Sequence, residues 1–145
     1  MKTKNITLSL LVMLAIVLSA TVVAAGDFDW TKDFNIKAEA DRDGFRARLS
    51  TRFKIGNTQV QVVLGNVGSP ADAYLVLRLG EMSSKSVDFV LNEYKTGKNK
   101  GWGVLAKSLG IKPGSKEFKA LKEGSDIYGK TDKNKGNNKN KGKGK

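Results

Sequence analysis

The chain has neither cysteine nor histidine among its 145 residues. Lack of cysteine excludes disulfides, thiolate nucleophiles, thiolate metal sites and cysteine-linked lipid. Lack of histidine excludes Ser-His and Cys-His catalysis and imidazole-ligated metals. Beyond one run at the amino terminus, no stretch is apolar enough to span a bilayer. Acid is scarce relative to base. The 14 Asp and Glu stand against 26 Lys and Arg, and the net charge of +12 points toward anionic partners. The length suits one domain.

Residues 1–25 read MKTKNITLSLLVMLAIVLSATVVAA. Lys2 and Lys4 make a short basic start, an apolar run follows from Ile6, and Val23, Ala24 and Ala25 supply small residues at its end. That is the pattern of a secretory signal peptide cut after Ala25. An uncleaved anchor is the alternative, since the run approaches the roughly 20 residues a spanning helix needs. Either reading puts the remaining chain outside the cytoplasm, periplasmic or secreted, with no membrane span after cleavage.

The base is unevenly spread. Residues 130–145, KTDKNKGNNKNKGKGK, hold Lys130, Lys133, Lys135, Lys139, Lys141, Lys143 and Lys145 against one Asp, a charge of +6, whereas residues 26–129 carry +4. This run has no apolar residue, so it has nothing to bury in return for the entropy of ordering. A disordered basic tail is expected over 125–145. It is either a solvated end or an electrostatic arm for a polyanion such as nucleic acid, lipopolysaccharide or an acidic wall polymer. Without Arg or aromatic residues it offers salt-sensitive, unselective attraction, because nothing in it stacks or forks.

Between these ends the apolar residues follow helical spacing. Phe45, Leu49 and Phe53 recur every fourth residue, and Val60, Val63, Leu64 and Val67 line one face. Ser69, Pro70 and Asp72 form a helix start, and the segment from Tyr74 to Met82 is apolar nearly all round, as a central buried helix would be. Ser84 or Ser86 opens a helix with the stripe Val87, Val90, Leu91, Tyr94, closed by Gly97. Trp102, Leu105, Ala106 and Leu109 form another, with Gly110 at the left-handed cap and Ile111 folding back. Pro113, Gly114 and Ser115 make a turn and cap before a last helix containing Phe118 and Leu121, closed by Gly124. The expectation is all-α: a compact bundle of about six short helices in helix–turn–helix-like units over 44–124, preceded by a loose arm over 26–43. Phe34, Ile36, Ala38, Ala40 and then Phe45, Ala47, Leu49 also alternate about Asp41-Arg42-Asp43-Gly44, which leaves a β-hairpin as the rival for 34–50. Leu49 to Ile55 and Leu105 to Ile111 share a spacing, each at the close of a helix.

Candidate chemistry is thin. The Asp41 to Gly44 run starts like a calcium loop, but its twelfth position is Arg52 rather than Glu, so a turn with Asp43 as helix cap is expected. No Ser has a Lys three residues on, which closes the Ser-Lys route. Carboxylate-based hydrolysis needs no His, but the acids are scattered over helix starts and exposed faces. No enzyme, cofactor or metal is expected. Gly101-Trp102-Gly103 lacks the third Gly and the preceding strand of a phosphate loop. Trp102 is expected as a core anchor with its indole N–H near the surface, or else as part of a binding rim with Lys98, Lys100, Lys112 and Lys116.

PADAYLVLRLGEM (70–82), SVDFVLNEYK (86–95) and GWGVLAKSLGIKPGSKEFKALK (101–122) together resemble a group of small exported bacterial proteins of uncharacterised function, which share a helical module ending in a Gly-Trp-Gly…Ala-Lys…Leu-Gly-Ile-Lys-Pro-Gly stretch. The resemblance covers about half the chain. It implies an all-helical extracytoplasmic module and no particular activity. Leu105, Ala106, Leu109, Gly110 and Ile111 also resemble the first helix and turn of a DNA-binding helix–turn–helix. In that motif an apolar residue is expected where this chain has Lys116, and Pro113-Gly114 lengthen the turn. The expected function is therefore binding or scaffolding at the bacterial cell envelope. A nucleic-acid-binding module and a small His- and Cys-independent hydrolase are the alternatives.

Overall fold

The structure, a computed structural model, describes residues 28–97 and 100–129. These fold as seven α-helices: α1 Trp30–Ala40, α2 Arg42–Phe53, α3 Asn57–Gly65, α4 Pro70–Ser83, α5 Val87–Gly97, α6 Trp102–Ser108 and α7 Lys116–Glu123. The all-α expectation holds, and there is no strand among the described residues. The expected signal segment 1–25 and Lys130 to Lys145 lie outside them, as does Lys98.

Helix α4 is the axis of the fold. Ser69 accepts a hydrogen bond from the Asp72 N–H at 3.2 Å, Pro70 occupies the first turn, and Asp72 favours the positive helix end. Eight of its 14 residues are buried, from Ala71 to Gly80. It packs against α1, α2, α3, α5 and α7, while α6 leans on α5. Helices this short are unstable alone, so each depends on the apolar face it presents to α4 or a neighbour. Phe45 and Leu49 from α2, Val60 and Val63 from α3, Val90, Leu91 and Tyr94 from α5, and Leu121 from α7 complete one continuous core.

The chain differs from expectation at both ends of this body. The expected loose arm is helical from Trp30, and the hairpin rival fails with it. Phe34 and Ala38, four residues apart, are buried, whereas Ile36 is 68% exposed. The apparent alternation arose because Ile36 is an apolar residue on the solvent face. Asp41, not Asp43, caps α2. Its carboxylate accepts from the Gly44 N–H at 2.9 Å. A Cβ on Gly44 would sit 2.0 Å from an Asp41 oxygen, so glycine is what lets that carboxylate fold over the helix end. At the other end, residues 125–129 were expected to begin the tail. Instead Ile127 and Tyr128 pack against the core, which makes 124–129 a strap across the body.

The shared spacing of Leu49 to Ile55 and Leu105 to Ile111 is a shared helix closure. Ile55 donates its N–H to the Ser50 carbonyl (3.2 Å) and Ile111 to that of Ala106 (3.0 Å). The residue before each is left-handed: Lys54 with φ 54° and Gly110 with φ 86°. A third closure of the same type joins Lys85 to the Gly80 carbonyl (3.1 Å) through Ser84 at φ 55°. Ser86, rather than Ser84, then caps α5 by accepting from the Phe89 N–H at 3.3 Å.

Candidate functional site

Of the residues proposed as a binding rim, Trp102 is half-buried at the start of α6. Its ring stacks on Tyr94 with centroids 5.4 Å apart and planes at 23°. It packs against the core, consistent with an anchoring role. Lys100 is exposed beside it. Lys112 is exposed in the connection that follows α6, and Lys116 is exposed at the start of α7. The connection from Leu109 to Ser115 is also longer than the 3–4-residue turn of a DNA-reading helix–turn–helix.

The structure instead assembles polar groups where the strap crosses α2 and α4. Arg52 on α2 makes a fork to Glu81 on α4, with N–O distances of 2.8 and 3.0 Å, and its Nε reaches Asp126 on the strap at 2.7 Å. Arg78 on α4 donates to Glu81 as well and lies 3.7 Å from Asp126. From beneath, the buried Tyr74 hydroxyl donates to Asp126 Oδ1 at 2.9 Å and accepts from the Asp126 N–H at 3.2 Å. Two cations and two anions from three elements thus form a balanced latch.

The shifts in acidity follow this geometry. The fork from Arg52, strengthened by Arg78, holds the Glu81 carboxyl below its ordinary range even though burial opposes this. At Asp126 burial works upward, but the hydrogen bonds from Arg52 and Tyr74 and the two arginine charges prevail and hold the carboxyl low. Arg52 is raised, chiefly by its bond to Glu81. Burial, aided by the Asp126 charge, pushes Tyr74 up to about 12. Both carboxylates are thus kept ionised by arginine. That suits a structural tie and is the reverse of a general acid's requirement. Among the described residues, no group of three or more acidic side chains is placed to hold a metal.

Beside the latch, α1 and the strap enclose an open groove of about 570 Å³ lined by Asp29, Trp30, Asp33, Phe34, Lys37, Glu123, Tyr128 and their neighbours. Its aromatic wall is tightly built. Phe34 meets Trp30 and Tyr128 edge-on at 5.4 and 5.1 Å, and the Arg48 guanidinium covers the Tyr128 ring at 5.5 Å. Trp30 Nε1 and the Tyr128 hydroxyl are shielded from solvent and find no hydrogen-bond partner. Burial raises the Tyr128 pKa, with Arg48 opposing.

Sequence reasoning missed both features. The signal for the latch was Arg78, a lone cation on an otherwise apolar helix. A buried helix keeps an arginine where a carboxylate meets it, and here Glu81 and Asp126 do so. The groove left no such signal, because it depends on α1 being helical and the strap being packed. Among the described residues, no helix is long and apolar enough to cross a membrane. No protein-family model, curated protein or solved structure matches this chain.

Proposed function

We propose that this is a non-enzymatic, extracytoplasmic helical protein that binds or scaffolds at the bacterial cell envelope and attaches to anionic polymers through its basic carboxyl-terminal end. The observation that carries the reading is the polarity of charge along the fold. Residues 28–97 hold ten basic and nine acidic side chains, near balance. Residues 100–123 hold six Lys against two Glu, and the +6 run follows directly after the strap. Five of those six Lys, from Lys100 to Lys119, are exposed. The latch supports the reading from the other side: it fixes the strap, and hence the point where the basic run leaves the body. The export pattern of residues 1–25 and the resemblance to small exported proteins supply the location.

The test is binding of the chain recovered from export to lipopolysaccharide, an acidic polysaccharide and duplex DNA. It is compared with a chain whose seven tail Lys are replaced by Gln. The reading expects comparable binding to all three polymers, lost on replacement and in high salt. Selective DNA binding that survives the replacement and is abolished by Lys112→Glu or Lys116→Glu would overturn it in favour of nucleic-acid recognition by the body.

A further inference from the structure

We propose that residues 124–129 form a lid with the Asp126 carboxylate as its clasp: the strap lifts from α1 and α2 as one unit while the seven helices stay folded, and lifting uncovers the aromatic face of Trp30, Phe34 and Phe45. The inference does not depend on the reading of the chain as an attachment protein.

Four observations carry it. The first is how the strap is held. Among the described residues, no backbone–backbone hydrogen bond ties 124–129 to the body. Its hydrogen bonds run through Asp126, whose carboxylate accepts from Arg52 and Tyr74 and whose N–H donates to the same Tyr74 hydroxyl. The second is the setting of that clasp. The Asp126 side chain is 42% exposed, so water can take over its bonds without a helix moving. Arg52 and Arg78 keep Glu81 when the strap leaves, so α2 and α4 stay tied to each other. The third is what closure costs. Trp30 Nε1 and the Tyr128 hydroxyl are shielded in the closed state with no partner, and opening returns both to water. The fourth is a hinge. Gly124, at φ 132°, joins α7 to the strap in a backbone region that L side chains rarely adopt, and it lies against the Trp30 ring.

Packing opposes opening. Tyr128 meets Phe34 edge-on at 5.1 Å and stacks on Phe45 at 6.4 Å, and Ile127 packs beside them on the core. These contacts make the closed lid the resting state, and the two orphaned donors make it a shallow one. The surrounding charges set its response to pH. Arg52, Arg78 and Glu81 gather at Asp126, Arg48 and Asp41 act on Tyr128, and Asp29, Asp33, Lys37 and Glu123 line the groove along the strap. The arginines and the Tyr74 hydroxyl hold the Asp126 carboxyl low while the lid is closed, and in the open lid it returns to its ordinary value near about 4. The clasp is therefore fully engaged above that value and is lost as pH falls through the closed-state one. Opening is constant across neutral pH and grows in acid.

The experiment measures exchange of the Trp30 indole N–H with solvent by NMR in the chain recovered from export. That proton is shielded and has no partner, so it exchanges when the lid lifts. The amide of Leu75, fully buried on α4, marks unfolding of the whole body. Trp30 is expected to exchange through an opening that urea barely accelerates, because little surface is exposed, whereas Leu75 responds steeply. Asp126→Asn is expected to raise the Trp30 opening constant about 5- to 30-fold at neutral pH. In the natural chain, lowering the pH from about 6 to about 3 is expected to raise it as well, after correction for the intrinsic exchange rate, and Asp126→Asn is expected to lose that rise. Equal urea dependence at Trp30 and Leu75 would overturn the lid, since the strap would then leave only with the body. A shallow urea dependence that neither Asp126→Asn nor acid alters would also overturn it, assigning the exchange to fraying of α1 rather than to release of Asp126.

Discussion

Tyr74→Phe removes a single oxygen from a side chain that is 1% exposed, and its consequence is calculable from the latch. The phenyl ring keeps its contacts with Trp30, Phe34 and Phe53 at 5.8, 5.4 and 5.7 Å, so no cavity opens. What is lost is the bond to Asp126 Oδ1 and the acceptor of the Asp126 N–H. A hydrogen bond to a charged group contributes about 1.5–3 kcal/mol. The Asp126 side chain is 42% exposed, so water replaces part of the bond and the expected cost falls to about 1–2 kcal/mol. For a domain of this size that lowers Tm by roughly 5–10 °C. The cost has a pH signature. Asp126 has a depressed pKa in the folded state, so its contribution is fully present above the unfolded value near about 4 and is lost as pH falls through the folded one. Tyr74 is raised to about 12, so the wild type loses an increment of stability that the variant lacks as pH rises from the unfolded tyrosine value near about 10 through the folded one. The gap between Tyr74→Phe and wild type is therefore flat across neutral pH and narrows at both extremes. Urea melts of wild type, Tyr74→Phe, Asp126→Asn and the double variant give a coupling of about 1 kcal/mol. Additive single effects, or a gap that does not change with pH, would refute the latch.

Three further changes test the fold. Lys54→Gly relieves a left-handed lysine at the end of α2 and should raise stability by about 0.5–1 kcal/mol in a chemical melt, since the strain removed exceeds the entropy glycine adds. Ser69→Ala deletes the cap of the central helix and should cost about 1 kcal/mol, a loss recovered by Ser69→Asp. Leu49→Ala empties a fully buried position at the heart of α2 and should cost about 2–5 kcal/mol by the same melts.

The helices from α4 to α7 were legible because their ends are written in local chemistry. Ser69, Ser86 and Ser115 accept from the backbone as such residues do, and Gly110 takes the left-handed angle its position implied. The first helix was not legible. Its burial depends on α4 and the strap, and Ile36 on the solvent face gave it a false period of two. The Asp-Arg-Asp-Gly run showed a cap but not which aspartate. The choice turned on Gly44, whose missing Cβ leaves room for Asp41. The strap was hidden for a different reason. Asp126, Ile127 and Tyr128 are too few for periodicity and adjoin a lysine-rich run, so composition assigned them to it. The contacts that hold Asp126 come from Arg52 and Tyr74, more than seventy and fifty positions away respectively, in an order no local pattern records.

The measurement that bears most directly on the proposed attachment is the salt dependence of duplex DNA binding, with DNA as a polyanion of known charge density. The logarithm of the binding constant is plotted against that of salt concentration for the natural chain and for the chain with its seven tail Lys replaced by Gln. Each released counterion contributes about 0.9 to the slope, so the account predicts a natural slope steeper by about 3–6. Parallel lines of equal affinity would contradict it, since the charge that binds would then lie on the folded body rather than in residues 130–145.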